Sequence, residues 1–458
     1  MDQRYEVLED AARLACEYID SLPVRRVGEA EGIEGLRARL RRPLPEQGED
    51  PREVIRDLAA DAEPGLVASA GPRYFGFVIG GTLPAALAAD WLTSAWDQNG
   101  GGYSASPSLS VAEEVVAGWV RGLLGLPPDC GIGFVTGCQM AHFTCLAAAR
   151  NAVMRDAGWN VEADGLQGGP ELRVIASDQA HVTVPVACRM LGLGAERLTL
   201  VSTDDQGRMA AAGLEAALAE WDGPAIVCAQ AGDVNSGAFD PLADVVELCR
   251  ARGAWCHIDG AFGLWAAVSA TRRSLLRGYE RADSWATDAH KWLNVPYDCG
   301  IAAVADREAH RAAMASTSAY IPAHDGDAPW GFDWTPEFSR RARGVPVYAA
   351  LRSLGRRGLT ELIDRCCDHA VRMAGRLAAA PGVEVLNDVV LNQVLIRVDD
   401  DDDATNAAIE RVQRDGTCWV GGSTFRGRTV IRISVVGWQT TTADVDASVD
   451  AIVRATRG

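Results

Sequence analysis

A single lysine is the first chemically informative feature of this sequence. The chain of 458 residues contains 43 arginines and one lysine, Lys291. Codon bias in a GC-rich genome explains why arginine replaces lysine on surfaces, but it does not explain the lysine that remains. A lysine amine can lose its proton and act as a nucleophile, whereas a guanidinium effectively cannot. The leading interpretation of Lys291 is therefore Schiff-base chemistry.

Two other polar side chains follow predicted strands. Asp259 ends an apolar strand and precedes Gly260 and Ala261, so its carboxylate could hold a protonated heteroaromatic nitrogen while the small residues leave room for a flat ring. A helix N-cap is an equally good interpretation of this aspartate. His181 follows another strand and could stack on a ring or relay protons, although a lone histidine is more often structural.

A glycine turn joins a predicted strand to a predicted helix at Gly137, Cys138 and Gln139. The free N–H groups at a helix N-terminus suit a phosphate, although many strand–helix turns contain glycine. Together with Lys291, Asp259 and His181, the turn indicates a cofactor with a phosphate, a flat ring carrying a basic nitrogen, and a carbonyl that condenses with lysine. Pyridoxal 5′-phosphate has these three features.

Short apolar runs alternate with helices through the middle of the chain. This alternation predicts an α/β fold with a mostly parallel sheet that is covered on both faces. Strands are predicted at 132–135, 172–176, 197–201, 225–229, 255–259, 284–288 and 300–304, and the intervening helices at 140–156, 182–191, 210–221 and 242–252. Helices are expected before residue 70, and a smaller α+β unit near the C-terminus.

Composition excludes several classes of function. The net charge of −18 argues against nucleic acid or an anionic membrane as a partner. No stretch approaches the ~20 apolar residues that a membrane-spanning helix needs. The polar, acidic N-terminus and the twelve scattered cysteines predict a cytoplasmic protein with free thiols. The histidines show no metal-ligand spacing, so no metal is expected.

Several segments resemble the pyridoxal-phosphate-dependent group II amino-acid decarboxylases, which include aromatic-amino-acid and glutamate decarboxylases. The resemblance lies in residues 72–77, 105–107, 237–241, 290–293 and 298–299. It implies the aspartate aminotransferase fold (fold type I), with a mostly parallel seven-stranded sheet. It also implies an N-terminal helical dimerisation segment at 1–70, a large cofactor-binding domain at 71–343 with a lid loop at 319–343, and a small C-terminal α+β domain at 344–458.

The resemblance also assigns roles to residues. Lys291 would bind the cofactor as a Schiff base, Asp259 would pair with the pyridinium nitrogen, and Ala261 and His181 would pack on the two ring faces. The implied set comprises catalytic residues Lys291, His181 and Asp259, phosphate contacts Gly137, Cys138 and Gln139 with His290 nearby, and substrate contacts Phe77 and Arg432. The active site would be shared within a homodimer.

The family resemblance implies a carboxy-lyase that removes the α-carboxylate of an L-amino acid to give an amine and CO₂. Glycines at 80–81 and 100–102, with Phe77, Tyr103 and Trp330 as an apolar wall, favour aromatic or large apolar substrates.

Three departures from the family pattern leave more than one reaction open. Cys138 and Gln139 replace serine or threonine in the phosphate turn, and residues 232–236 replace a Gly-Thr-Thr pattern. The lid at 330–334 has no tyrosine, and Tyr320 lies earlier. In this family, loss of the lid tyrosine is associated with oxygen-dependent formation of an aldehyde. The sequence is also compatible with an aminotransferase-like enzyme and with a non-catalytic scaffold.

Overall fold

The computed structural model describes residues 5–315 and 328–457. The chain divides into two compact units. One comprises Met1–Gly81, Arg372–Val385 and Ile396–Gly458, and the other comprises Thr82–Val371 and Leu386–Leu395. Within the described ranges no helix is long and apolar enough to span a bilayer.

The larger unit is built on a seven-stranded sheet. Its strands are β1 (Gly131–Val135), β2 (Arg173–Ser177), β3 (Thr199–Val201), β4 (Ala225–Gln230), β5 (Trp255–Asp259), β6 (Ser284–Asp288) and β7 (Gly300–Val304). The order is β1-β7-β6-β5-β4-β2-β3. Only β7 runs antiparallel to its neighbours. The predicted mostly parallel α/β sheet is confirmed, and β5, β6 and β7 have the predicted bounds.

Most of the strands have sequences that are largely apolar. Every residue of β1, β4, β5, β6 and β7 is buried. Such continuous burial is typical of a sheet that is covered on both faces. The polar residues of β5 and β6 are therefore unusual and must find partners inside the protein.

Helices surround this sheet in chain order. They are α4 (Pro84–Trp96), α5 (Pro107–Leu124), α6 (Cys138–Asp156), α7 (Val161–Asp164), α8 (Thr183–Met190), α9 (Ala211–Ala219), α10 (Leu242–Arg252), α11 (Ala289–Trp292) and α12 (Arg307–Met314). Helix α6 is buried along most of its length and packs against β5, β6 and β7. A long helix, α13 (Gly344–Ala378), is interrupted at Gly355, whose φ of +64° favours glycine.

The smaller unit contains the N-terminal helices and most of the C-terminal segment. Its elements include α1 (Glu6–Ser21), α2 (Ile33–Leu40), α3 (Pro51–Ala62), α14 (Asp402–Asp415) and α15 (Thr442–Thr456). Strands β8 (Val383–Val385), β9 (Gln393–Val398), β10 (Gly421–Phe425) and β11 (Arg428–Ser434) form a sheet in the order β10-β11-β9-β8. The β10–β11 and β8–β9 pairs are antiparallel, as expected for a small α+β unit.

Several predicted bounds differ from the observed ones. The strand expected to begin at Arg197 begins at Thr199, because residues 195–197 form a 3₁₀ turn. In the predicted lid at 319–343, residues 319–327, including Tyr320, lie outside the described residues. The division into segments 1–70, 71–343 and 344–458 stays a prediction.

Candidate active site

A cavity of about 240 Å³ lies at the carboxyl ends of the strands of the larger unit. In open α/β sheets this edge is where ligands bind. The structure brings eight sequence-predicted residues to its wall: Gly137, Cys138, Gln139, His181, Asp259, Ala261, His290 and Lys291. These residues come from four different strand ends, so only the sheet could have placed them together.

Lys291 lies in α11, the single helical turn that follows β6. Its Nζ is 3.0 Å from Oδ2 of Asp288, the buried last residue of that strand. Burial by itself would lower the pKa of Lys291, but the negative charges of Asp288 and Asp259 outweigh burial and raise it. The amine is therefore held as an ammonium ion beside Asp288.

His290 precedes the lysine and is also mostly buried. Its Nδ1 accepts a hydrogen bond from the Cys299 backbone N–H at 3.2 Å, and its Nε2 lies 3.5 Å from Asp288 Oδ1. Burial, with the charge of Lys291 adding to it, lowers the pKa of His290 even though Asp288 opposes the shift. The imidazole is thus neutral at neutral pH. Because Nδ1 accepts a hydrogen bond, its proton is on Nε2, the nitrogen nearer to Asp288 Oδ1.

Asp259 ends β5 and is almost fully buried. Its Oδ1 accepts the Ala261 backbone N–H at 3.1 Å, and its Oδ2 lies 3.4 Å from His142 Nε2. Burial raises the pKa of Asp259, but His142, His181 and Lys291 lower it by more, so the net pKa is well below its ordinary value. Asp259 is an ionised carboxylate in the cavity wall.

The glycine turn leads directly into α6, whose N-terminus has no side-chain cap. The N–H groups of the first turn are thus without a side-chain acceptor, as an anion-binding helix end requires. A Cβ on Gly137 would lie 3.2 Å from His290, and a Cβ on Gly300 would lie 2.5 Å from the Gly137 backbone. Glycine at both positions keeps the turn open.

His181 lies in the connection between β2 and α8. Its Nδ1 is 2.8 Å from Thr183 Oγ1 and receives the Thr183 backbone N–H at 3.4 Å. A backbone N–H can only donate, so Nδ1 is the acceptor and the ring proton is on Nε2. Thr183 thereby orients the imidazole that lines the cavity.

Phe77 and Arg432, the two expected substrate contacts, belong to the smaller unit. Phe77 has φ +49° and is 60% exposed, and its ring stacks on Trp419 at 6.0 Å between centroids. Arg432 lies in β11 opposite Gly421. The roles of both residues stay predictions.

The sequence reasoning did not single out several residues in and behind the cavity wall, among them Asp288, Thr183, His142 and His257. Asp288 could have been found, because it is three residues before Lys291 and one helical turn brings such side chains together. His257 could also have been found, because it is two residues before Asp259 and so shares its face of β5. His142 follows Cys138 by one helical turn, but no pattern links it to His257 and Asp259, which lie 115 and 117 positions away in the chain.

Spacing also failed to reveal a thiol, an imidazole and a carboxylate that meet at this wall. Ligand-capable atoms of Cys138, His142 and Asp259 all lie within 4.8 Å of one another. Burial, together with the charges of Asp288 and Asp259, raises the pKa of Cys138 well above its ordinary value. His142 Nε2 faces both the sulfur of Cys138 and the carboxylate of Asp259 in this cluster.

Comparison with known proteins identifies the family. The pyridoxal-dependent decarboxylase conserved domain matches residues 34–399. The chain belongs to the pyridoxal-dependent decarboxylases. It is therefore a carboxy-lyase family member whose cofactor is pyridoxal phosphate, and the resemblance predicted from the sequence is confirmed.

Named relatives of this decarboxylase differ in what they produce. It is 26% identical to an aromatic-L-amino-acid decarboxylase of Bacillus atrophaeus, over 95% of this chain and 92% of the relative. It is 25% identical to a phenylacetaldehyde synthase of Arabidopsis thaliana, over 85% and 83%. The crystal structure of Oryza sativa TDC with PLP and tryptamine superposes with a TM-score of 0.92 at 25% identity, covering 100% of this chain and 98% of that one.

The wall of the cavity fits pyridoxal phosphate. It combines an amine, a buried ionised carboxylate and an uncapped helix N-terminus. These groups match the aldehyde, the pyridine nitrogen and the phosphate of the cofactor. The departures at Cys138 and Gln139 do not remove the backbone N–H groups on which the phosphate site depends.

Proposed function

We propose that this decarboxylase removes the α-carboxylate of an L-amino acid, with aromatic or large apolar side chains favoured, to give an amine and CO₂. The observation that carries the proposal is that Lys291, Asp259 and the N-terminus of α6 line one cavity. The aromatic-amino-acid decarboxylase relative supports the substrate class.

Lys291 is the residue that would bond to the cofactor, and Asp259 would face the ring nitrogen. Gly137, Cys138 and Gln139 would hold the phosphate through backbone N–H groups, while Ala261 and His181 would pack on the ring. When bound, pyridoxal phosphate supplies an aldehyde that bonds to amines and a ring that delocalises the electron pair left when CO₂ departs.

The residues of the chain prepare the site for this chemistry. Asp288 holds the Lys291 ammonium at 3.0 Å, so the amine stays in place until it loses its proton and becomes nucleophilic. Asp259 keeps a fixed negative charge in an almost fully buried position, where such a charge acts strongly. Both carboxylates belong to strand ends, which hold them more firmly than a loop would.

Protonation of the carbon that loses CO₂ needs a donor. His181 lines the cavity and carries its proton on Nε2, because Thr183 occupies Nδ1. It is our candidate general acid. The sequence has no tyrosine between Tyr320 and Tyr348, so residues 321–347 offer no phenol for this step.

Oxygen-dependent conversion to an aldehyde is the second candidate function. The missing lid tyrosine favours it, and a relative is named as a phenylacetaldehyde synthase. This route consumes O₂ and releases ammonia and peroxide together with CO₂. The two candidates therefore differ in products that can be measured.

We also propose a homodimer with shared active sites, in which residues 1–70 form the dimerisation segment. Sedimentation of the loaded protein tests this, and a truncated chain beginning after residue 70 should be monomeric and inactive. A dimer that survives the truncation would overturn this part of the proposal.

Product analysis tests the function. The loaded protein is incubated in air with a pool of L-amino acids, and products are identified by mass spectrometry together with oxygen uptake. An amine lighter than its parent by CO₂ supports decarboxylation, and an aldehyde with matching peroxide supports the second candidate. No product from any amino acid overturns both.

A further inference from the structure

A row of buried polar groups runs away from the cavity behind Asp259. His142 comes from α6, His257 from β5 and Ser284 from β6, and all three are fully buried. Asp259 lines the cavity, whereas neither histidine does. The row meets the cavity wall at the Asp259 carboxylate. It also meets the wall at Cys138, whose sulfur lies 3.6 Å from His142 Nε2.

The fold dictates this row. Trp255, His257 and Asp259 alternate along β5, so their side chains share one face of the sheet. Ser284 is the register partner of His257 in β6. His142 lies one helical turn after Cys138, which points its ring towards the same strand.

The contacts along the row are continuous. Trp255 Nε1 donates to Ser284 Oγ at 2.8 Å, and Ser284 Oγ is 2.9 Å from His257 Nδ1. His257 Nε2 is 2.9 Å from His142 Nδ1, and the two rings meet edge to face. His142 Nε2 then lies 3.4 Å from Asp259 Oδ2.

The chemistry of the two ends sets the direction of every hydrogen bond. An indole N–H can only donate and an ionised carboxylate can only accept, while a neutral imidazole does one of each. Asp259 faces His142 Nε2 at 3.4 Å, which favours a ring proton on that nitrogen. His142 Nδ1 then accepts from His257 Nε2–H, and His257 Nδ1 accepts from the Ser284 hydroxyl. Burial and the neighbouring His142 lower the pKa of His257 to about 3, which keeps His257 neutral.

We propose that His142 is a positioning residue that acts through Asp259. Its Nε2–H, oriented by His257 and Ser284, holds the carboxylate ionised and fixed from behind the cavity wall, so that a proton shared with the bound cofactor stays on the ring nitrogen. The inference rests on the proposed function, since it takes Asp259 to be the partner of that nitrogen.

Groups on other elements do not replace this contact. Cys138 approaches Asp259 Oδ1 with its sulfur at 3.9 Å, and the Ala261 N–H also binds that oxygen. Oδ2 is the oxygen that faces His142. Loss of the imidazole N–H would leave this buried oxygen with less stabilisation of its negative charge, which is costly in a low-dielectric site.

The test uses holoenzyme loaded with pyridoxal phosphate carrying ¹⁵N in the ring, and solid-state NMR reads the protonation of that nitrogen directly. His142→Phe keeps a ring but removes the donor, and His142→Gln keeps a donor. His310→Phe is the matched control, because His310 is also fully buried but contacts the Trp334 carbonyl outside the cavity. Asp259→Asn gives the signal expected when the carboxylate is lost.

We expect the wild type, His142→Gln and His310→Phe to show a protonated ring nitrogen. His142→Phe should move the signal towards that of Asp259→Asn and weaken cofactor binding about tenfold, as loss of a charge-assisted hydrogen bond does. The side chain in His142→Asn is too short to reach Asp259. If His142→Phe does not fold, His142→Asn should show the same change in signal and in cofactor binding.

The proposal is overturned if His142→Phe binds the cofactor and shows an unchanged ring-nitrogen signal. The same holds for His142→Asn if it is the variant that binds the cofactor. Borohydride reduction and peptide mass spectrometry of each sample separate this result from failure of the proposed function. A wild-type protein whose Lys291 carries no cofactor after reduction contradicts the proposed function itself, and the proposal for His142 falls with it.

Discussion

Lys291 Nζ and Asp288 Oδ2 lie 3.0 Å apart within one turn of chain that begins at the end of β6. The aspartate is almost fully buried, while the lysine reaches the cavity. Because Asp288 ends β6, this strand end fixes the charge of Lys291 as well as its position.

Substitution of Lys291 should abolish turnover. Lys291→Arg keeps the positive charge beside Asp288 but cannot bond to an aldehyde, and Lys291→Ala removes both. Because the chain has one lysine, borohydride reduction of the loaded wild type should place a pyridoxyl group on the peptide that contains Lys291 and on no other side chain. Appreciable turnover by either variant would falsify the assignment.

Asp288→Asn should shift the pH dependence of cofactor capture. The negative charge of Asp288 raises the pKa of Lys291, and only the unprotonated amine attacks the aldehyde. Capture by the apoprotein should therefore speed up as pH rises, and removal of the charge should move that rise to lower pH. Stopped-flow absorbance of pyridoxal phosphate measures the rate, and an unshifted profile would contradict the electrostatic role.

Gly300→Ala should impair cofactor binding without contacting the cofactor. A Cβ at this position would lie 2.5 Å from the Gly137 backbone, so the turn at Gly137 must move. We expect overpacking to lower the free energy of unfolding by about 1–3 kcal/mol, and the displaced turn to weaken the Kd for pyridoxal phosphate. Gly375→Ala is the control, because its Cβ would meet nothing within 4 Å and its cofactor affinity should stay at the wild-type value.

Arg340 and Glu113 form a buried ion pair with contacts of 2.6 and 3.0 Å. Glu113→Gln leaves the guanidinium, only 1% exposed, without its counter-charge. We expect the free energy of unfolding to fall by about 3–5 kcal/mol. The exposed pair Arg357 and Glu361 is the control, for which Glu361→Gln should cost about 0–1 kcal/mol in the same urea titration.

Cys16 should be the fast-reacting thiol of the native protein. All twelve cysteines are free, and Cys16 alone is exposed. Burial raises the pKa of Cys145 and removes reagent access, and the same holds for other buried thiols. Titration with a chromogenic disulfide should show one rapid equivalent that Cys16→Ser abolishes, and several rapid equivalents would contradict the burial of the others.

Local sequence predicted much of the larger unit. Strands β5, β6 and β7 are short apolar runs with clear ends, and each was predicted with its observed bounds. Asp259 and Lys291 could be predicted because they lie at the ends of such runs. Their approach to one cavity then follows from the parallel arrangement of the strands, which puts carboxyl ends at one edge.

Contacts between distant elements could not be predicted in the same way. His142 meets Asp259 and His257 only because α6 packs across the sheet, and no periodicity in the sequence carries that information. The start of β3 was also misplaced, since the apolar pattern does not distinguish a 3₁₀ turn at residues 195–197 from the first residues of a strand.

Strand β7 separates β1 from β6, and both pair with it at Gly300, through Val135 and Asp288. Two steps of inter-strand hydrogen bonding, about 4.8 Å each, therefore separate the strand that leads into the Gly137 turn from the strand that leads into Lys291. Backbone hydrogen bonds, and not side chains, set this distance. Substitution of the side chains at Cys138 and Gln139 would leave this distance between the two strand ends unchanged.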